Sequence, residues 1–195
     1  MHRAARALRR AVGLDRETRW NKEYAKGGWE WLDTLPELAH HSILAGYFTK
    51  LKPNGRVLDV GCGEGLFHER LTGRAYARYV GTDFAEAIKR AEHRNDEKTA
   101  FVVADMNDYT TTEQFDAIVF NESIYYIWDI ADGLAHYERF LAPDGIFLIS
   151  MHGKERNDEK WAVVDARYRI LDAVTVTNQH GTRWTVKALT RPTPA

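Results

Sequence analysis

Acidic residues recur along this chain at the ends of short apolar segments. Asp59 lies inside the first such segment, Asp83 and Asp105 follow the second and third, and Glu122 follows the fourth. Carboxylates accept hydrogen bonds from hydroxyl and amino groups, attract positive charge and can take up a proton. The carboxyl ends of parallel strands meet at one edge of a sheet, so these acids are expected to surround one binding site.

A glycine-rich turn, in the sequence VLDVGCGEG at residues 57–65, follows the first apolar segment. A strand, a glycine turn and a helix bring the backbone close to a ligand at the edge of an α/β sheet. Dinucleotide sites favour the spacing G-x-G-x-x-G and place a pyrophosphate on the helix N-terminus. Here the third glycine comes one residue early, and Asp59 and Glu64 would repel a pyrophosphate. S-adenosylmethionine, with a sulfonium, an ammonium and no phosphate, suits this turn better than NAD.

The rest of the chain predicts the elements that would position these acids. Apolar strands alternate with predicted helices: one covers residues 85–93, one begins after Asp129 and one ends at Arg167. A terminal hairpin follows them, and this order of elements predicts an α/β fold. The predicted strands cover residues 57–60, 77–81, 99–104, 115–120, 146–150, 170–177 and 183–189.

Two of the acids lie where an adenosine would need acceptors. Asp83 comes 18 residues after Gly65, at the tip of the second strand, where it can accept both ribose hydroxyls. The alternative is that Asp83 is a helix N-cap. Asp105 can accept the adenine amino group, and the flexible side chain of Met106 can cover the ring.

The segment before the first strand is predicted to be helical and is rich in aromatic residues. Asp15 can cap a helix that runs to Lys26, and a second helix is predicted from near Pro36 to Leu51. The aromatic rings either pack a helical cap onto the sheet or also line the ligand cavity. They belong to Trp20, Tyr24, Trp29 and Trp31.

Two adjacent histidines, His40 and His41, lie in the second of these helices. Adjacent residues on a helix point in different directions, and no third metal ligand is evident. We therefore interpret them as surface or cap histidines.

The composition is that of an ordinary globular chain, with 195 residues, 44% of them hydrophobic and 28% charged. The net charge of −1 gives no global attraction to nucleic acid. A single cysteine, Cys62, excludes an internal disulfide and a cysteine-built metal cluster. No apolar run approaches the roughly 18 residues of a membrane span. We expect a cytoplasmic protein, a monomer or homodimer.

The first ten residues are rich in arginine and contain no acid. They lack the apolar core of a secretion signal, although a transit peptide has a similar composition. The spacing of Ala4, Leu8, Ala11 and Val12 predicts an amphipathic helix with its arginines in water.

From about Leu51 to Arg191 the chain resembles the class I S-adenosylmethionine-dependent methyltransferases. The segments VLDVGCGEG, GTDF, VVADM and FDAIVFNESIYYI resemble four motifs of that family in order and spacing. The resemblance implies an α/β, Rossmann-like, seven-stranded and mostly parallel sheet whose last strand is antiparallel. It also implies an N-terminal helical cap over residues 1–50, similar to that of small-molecule members, and a cofactor-binding domain over 51–195.

The resemblance further implies which residues bind the cofactor. The methionine end would lie on Asp59 and the glycines, the ribose on Asp83 and the adenine on Asp105. Tyr24 would close over the cofactor from the cap. The full set is Tyr24, Asp59, Gly61, Gly63, Asp83, Phe84, Asp105, Met106 and Asn121.

In a methyl transfer the protein mainly orients the reactants, and a base is needed only if the acceptor must lose a proton. Glu122 and His152 are the candidates for that base, with Tyr125 as a hydrogen-bond partner. Alternatively, Glu122 contacts the cofactor or backbone and His152 is a turn residue in water. The chain lacks the Asn-Pro-Pro-Tyr segment of members that methylate nucleobase or glutamine amino groups. It also lacks an acid after the fifth strand, so we expect no metal.

Two segments would face the methyl group: the predicted cap and the stretch that follows the fourth strand. Both are rich in aromatic residues, which indicates the class of acceptor. A flat, largely apolar acceptor or a cationic amine would fit such rings. We therefore expect a small aromatic, heterocyclic (indole-containing, for example) or amine metabolite of natural-product biosynthesis. The alternatives are a methyltransferase acting on RNA or protein and a non-catalytic protein that binds S-adenosylmethionine. The residues expected to bind the acceptor are Trp20, Trp29, Tyr125 and Tyr126, with Trp31 and Trp128 nearby.

Overall fold

A computed structural model describes residues 17–27, 29–71, 73 and 76–192, and a seven-stranded sheet lies at its centre. The strands follow the order β3-β2-β1-β4-β5-β7-β6; β7 runs antiparallel to β5 and β6 on either side of it, and the other neighbouring pairs are parallel. The predicted Rossmann-like sheet with an antiparallel last strand is thus confirmed. The strands are β1 (Arg56–Val60), β2 (Arg78–Asp83), β3 (Thr99–Val103), β4 (Phe115–Asn121), β5 (Leu141–His152), β6 (Arg169–Thr177) and β7 (Arg183–Thr190).

The helices occupy the positions that the sequence predicts. They are α1 (17–25), α2 (Leu38–Leu51), α3 (Leu66–Arg70), α4 (Ala85–Ala91), α5 (Ile130–Glu138) and α6 (Asp158–Arg167). In the part of the chain that is described, no helix has the length and apolar character needed to cross a membrane. The proposed cap at Asp15 and the amphipathic helix over Ala4, Leu8, Ala11 and Val12 lie outside the described residues.

The central strands are buried on both faces, which explains why their sequences are continuous runs of apolar residues. On β5, Phe147 packs on the face covered by α5 and α6, and Leu148 on the opposite face with α2 and α3. Phe48 of α2 is fully buried in that second cluster. Since α2 packs on the sheet itself, the segment before α2 is what covers the sheet edge. The division at residue 50 stays a prediction.

Strand β5 is longer than predicted. It begins at Leu141, before the predicted start at residue 146, and its pairing with β4 is irregular between Phe115 and Ala117. At its other end the strand continues to His152, which pairs with Trp184 of β7. His152 is therefore the last residue of a central strand, and the alternative of a turn residue in water is wrong.

Candidate active site

One cavity of about 500 Å³ opens at the carboxyl ends of the parallel strands, beneath the segment before α2. It brings together every residue that the sequence predicts for cofactor binding, catalysis and acceptor binding. Of the two tryptophans expected nearby, Trp31 lines the cavity and Trp128 does not. The predicted residues that line the cavity are Trp20, Tyr24, Trp29, Asp59, Gly61, Gly63, Asp83, Phe84, Asp105, Met106, Asn121, Glu122, Tyr125, Tyr126 and His152.

The glycine turn forms a backbone cradle at the floor of this cavity. Gly61 has φ +73°, and a Cβ atom there would lie 2.6 Å from Cβ of Ser123. A Cβ atom at Gly63, where φ is +55°, would lie 3.1 Å from the hydroxyl of Tyr24. Only glycine combines this left-handed conformation with such close neighbours. The N–H groups of Gly61 and Cys62 both donate to the carbonyl of Thr82, which fixes the cradle to the end of β2.

Asp83 lies at the tip of β2 with its carboxylate in the cavity wall. It accepts hydrogen bonds of 2.7 Å from the N–H groups of Gly63 and Phe84. Each carboxylate oxygen has a second acceptor position for a ligand hydroxyl. Burial raises the pKa of Asp83 to about 6. The N-cap alternative is wrong, because Phe84 occupies the N-cap position of α4.

Asp59 lies beneath the glycine turn and is completely buried. One carboxylate oxygen accepts a hydrogen bond of 2.7 Å from the hydroxyl of Tyr79. The other has no hydrogen-bond partner among the described residues. Burial raises the pKa of Asp59 to about 7. A positively charged or hydrogen-bonding partner at the free oxygen would favour the ionised form of this acid.

Glu64 does not contribute to the site in the way its position in the turn suggests. Its carboxylate forms an ion pair of 2.8 Å with Arg90 on α4, and Arg94 donates to its backbone carbonyl. The positive guanidinium offsets the charge of Glu64. The inference that Glu64 repels a pyrophosphate is therefore weakened, and Asp59 and Asp83 supply the negative potential near the turn.

Asp105 and Met106 line the neighbouring part of the cavity, after β3. One oxygen of Asp105 accepts hydrogen bonds of 2.8 Å from both the backbone and the side-chain amide of Asn107. The Met106 methyl group would lie 3.1 Å from a Cβ atom at Gly61. This arrangement suits an adenine ring beside the cradle, and that assignment stays a prediction.

Glu122 is held at the ends of β4 and β5 by three hydrogen bonds. Its Oε2 accepts from the N–H of His152 at 2.9 Å and from the hydroxyl of Tyr125 at 3.2 Å. Its Oε1 accepts from the hydroxyl of Ser150 at 2.9 Å. Burial raises the pKa of Glu122 to about 7, which suits a group that exchanges protons near neutral pH. The two alternatives for Glu122, a contact with the backbone and a role as the base, are thus compatible.

Of the two interpretations of His40 and His41, as surface or as cap histidines, the surface location is wrong. They are 0% and 5% exposed and line the cavity. The side-chain amide of Asn121 lies 2.6 Å from Nδ1 of His41. The spacing of His41 with Leu44 and Phe48 places it on the buried face of α2, and this pattern in the sequence could have identified it.

Aromatic rings in mutual contact form the upper wall. Trp20 stacks on Trp29 with ring centroids 4.9 Å apart and meets Tyr126 edge-on at the same distance. Tyr125 and Tyr126 lie 4.7 Å apart, and Tyr24 lies 6.1 Å from Trp29. The rings of the cap therefore line the cavity as well as packing with one another.

The described residues fit S-adenosylmethionine in two respects. The glycines leave a cradle that any side chain would fill, and the unpartnered oxygen of Asp59 lies beneath it. Among these residues, no group of three histidines, cysteines or acids could hold a metal ion. Independence from metal stays a prediction.

Three features together define a class I S-adenosylmethionine-dependent methyltransferase. They are the parallel sheet with an antiparallel last strand, the glycine cradle after β1 and the acid at the tip of β2. The family described as "Methyltransferase domain" matches residues 29–191, and the chain belongs to this family.

Among curated relatives, Nodulation protein S of Rhizobium tropici is 30% identical over 128 residues. These residues are 63% of this chain, and the match spans 53%, about half, of the relative's length.

Solved structures share the fold. N-methyltransferase NodS from Bradyrhizobium japonicum WM9, in complex with S-adenosylhomocysteine, has a TM-score of 0.72 at 21% identity, covering 85% of this chain and 92% of that one. The 1,6-didemethyltoxoflavin-N1-methyltransferase of Burkholderia thailandensis, with 1,6-didemethyltoxoflavin and S-adenosylhomocysteine bound, has a TM-score of 0.80 at 18% identity, covering 94% and 90%.

If Asp83 binds the ribose, Asp83→Ala should weaken S-adenosylmethionine binding by about 1–3 kcal/mol, because ligand hydroxyls lose their acceptors. Isothermal titration calorimetry measures this loss. Asp96→Ala is a matched control, since Asp96 also accepts backbone N–H groups but does not line the cavity. Unchanged affinity in Asp83→Ala would remove Asp83 from the site.

A bound cation favours the ionised forms of Asp59 and Asp83, whose pKa values are raised to about 7 and about 6. S-adenosylmethionine binding should therefore release protons and weaken as the pH falls from about 8 to about 5.5. S-adenosylhomocysteine lacks the sulfonium charge and should show a smaller pH dependence. Calorimetry of both ligands across this range makes the comparison. Equal pH dependence of the two would contradict the expectation.

Proposed function

We propose that this chain transfers a methyl group from S-adenosylmethionine to a small aromatic, heterocyclic or amine acceptor, at N, C or O, without a metal. The observation that carries the proposal is the wall of contacting aromatic rings above the cavity that holds the glycine cradle. A cavity of about 500 Å³ suits a small molecule rather than a folded polymer. We further propose that the protein works in the cytoplasm as a monomer or homodimer. Its reaction would belong to natural-product biosynthesis.

The similar proteins support a small acceptor. Two of the structures that share this fold are named as N-methyltransferases, and one of them holds 1,6-didemethyltoxoflavin. Flat rings such as Trp20 and Trp29 bind flat or cationic groups through stacking and through the negative potential of their faces. An indole-containing acceptor is one example that fits.

S-adenosylmethionine supplies a methyl group activated by positively charged sulfur. The task left to this chain is to hold the acceptor against that group, exclude water and remove a proton where the acceptor requires it. Glu122 can take the proton, and Tyr125 and the His152 N–H hold its carboxylate in place. His152 lines the same part of the cavity and is the second candidate.

The decisive experiment measures release of S-adenosylhomocysteine with a panel of small acceptors, RNA and protein, and identifies the methylated product by mass spectrometry. Methylation of a small flat acceptor supports the proposal. Methylation of RNA or protein alone would establish the alternative class of methyltransferase. Cofactor binding without turnover on any acceptor would establish a non-catalytic binding protein.

The aromatic wall should determine acceptor binding. Trp29→Ala should raise the KM of the acceptor roughly threefold to tenfold, since stacking contacts are lost, and should affect cofactor affinity less. Trp128→Ala is the matched control, because Trp128 follows Tyr126 closely in the chain without lining the cavity. Steady-state kinetics with both variants tests this. An unchanged KM in Trp29→Ala would shift the proposal to a polar acceptor.

If Glu122 is the base, wild-type turnover should rise with pH through about 7, where Glu122 ionises. Glu122→Gln should slow turnover by about 10²–10⁴-fold and abolish this rise, without abolishing cofactor binding. His152→Ala should also slow turnover. Single-turnover rates measured against pH check the expectation. A Glu122→Gln variant with the wild-type pH profile would exclude Glu122 as the base.

A further inference from the structure

Glu37 is a buried carboxylate to which the cofactor site gives no role. It ends the helical turn Leu35–Glu37 directly before α2, lines the cavity and is only 7% exposed. Burial raises the pKa of its carboxyl group above the usual value. Burying a carboxylate costs free energy unless a partner or a ligand replaces the lost water. Glu37 is therefore placed to contact something that enters the cavity.

The histidines beside Glu37 do not supply a compensating charge. His40 Nδ1 lies 4.0 Å from Glu37 Oε2, and neither ring nitrogen of His40 has a hydrogen-bond partner among the described residues. The His40 ring stacks on Trp184 at 4.9 Å and contacts His41 at 4.2 Å. Burial lowers the pKa of His40 to about 2 and that of His41 to about 4. Both rings are thus neutral near pH 7 and do not repel a cation.

A second carboxylate, that of the half-buried Glu122, faces the same cavity. Beyond the effect of burial, the negative charge of Glu37 contributes to the raised pKa of Glu122, so the two groups act on each other. Among the lining residues that are described, Lys154 is the single lysine or arginine, and it is exposed. Like charges that share a cavity are best satisfied by a ligand that brings positive charge and N–H donors.

We propose that Glu37 and Glu122 form an amine-binding site at the acceptor end of the cavity. This inference rests on the proposed function and names its acceptor as a basic nitrogen compound. The ammonium form donates its N–H groups to the two carboxylates, while Trp20 and Trp29 hold the carbon skeleton. Glu122 accepts one proton, which leaves a lone pair on nitrogen. That pair forms the bond to the methyl carbon, and the electrons of the broken carbon–sulfur bond stay on sulfur.

The test compares amines with alcohols that share the same ring and chain. The probes are tryptamine with tryptophol and phenethylamine with 2-phenylethanol, titrated calorimetrically into protein saturated with S-adenosylhomocysteine. In the wild-type protein at least one amine should bind about tenfold more tightly than its alcohol. Glu37→Gln keeps the size of the side chain and should remove most of this preference, with unchanged affinity for the alcohol and for S-adenosylhomocysteine. Glu159→Gln, on the exposed side of α6, is the control and should keep the preference.

No preference for either amine in the wild-type protein would overturn the inference, as would a full preference retained in Glu37→Gln. The wild-type comparison needs no variant, so a folding defect cannot obscure it. Turnover of the same probes separates the two proposals. Methylation of an alcohol but not of its amine overturns the amine site and leaves the proposed function in place. Preferential amine binding without methylation of any acceptor supports the amine site and contradicts the proposed function.

Discussion

Three carboxylates lie at one edge of this sheet, one of them fully buried and two half-buried, and no described lysine or arginine forms an ion pair with any of them. Asp59, Asp83 and Glu122 each keep their place through hydrogen bonds from hydroxyl or backbone N–H groups. Those bonds offset only part of the hydration lost on burial, so the pKa values remain raised. The parallel alignment of β1, β2 and β4 directs all three acids toward one cavity. A positively charged ligand is the element that completes this arrangement.

Arg90 connects the cap to the glycine cradle through its side chain. Its guanidinium pairs with Glu64 at 2.8 Å and also donates to the backbone carbonyl of Tyr24 on α1. A further contact joins the same elements, because the N–H of Glu86 donates to Asn21 at 3.2 Å. The aromatic wall and the cofactor cradle are therefore not independent. A shift of α1 alters both the aromatic wall and the glycine cradle.

Parts of the site that depend on local pattern could be predicted from the sequence. Gly61 follows β1 directly and Asp83 ends β2, and the parallel sheet fixes where such residues meet. Contacts between distant segments could not be predicted. Asn121 meets His41 across 80 residues, and Glu64 meets Arg90 across 26. The burial of His41 was also not predicted, because histidine is a polar residue, although its helical spacing matches the buried face of α2.

The sheet order has a consequence for synthesis on the ribosome. Strand β7 lies between β5 and β6, and its Trp184 packs on His40 and pairs with His152. Translation must pass Thr190 before this wall of the cavity can close. Until then β5 presents an unpaired edge, which is a site for incorrect strand pairing in a nascent chain. The strand that supports Glu122 through Ser150 is thus open to incorrect pairing until β7 has been synthesised.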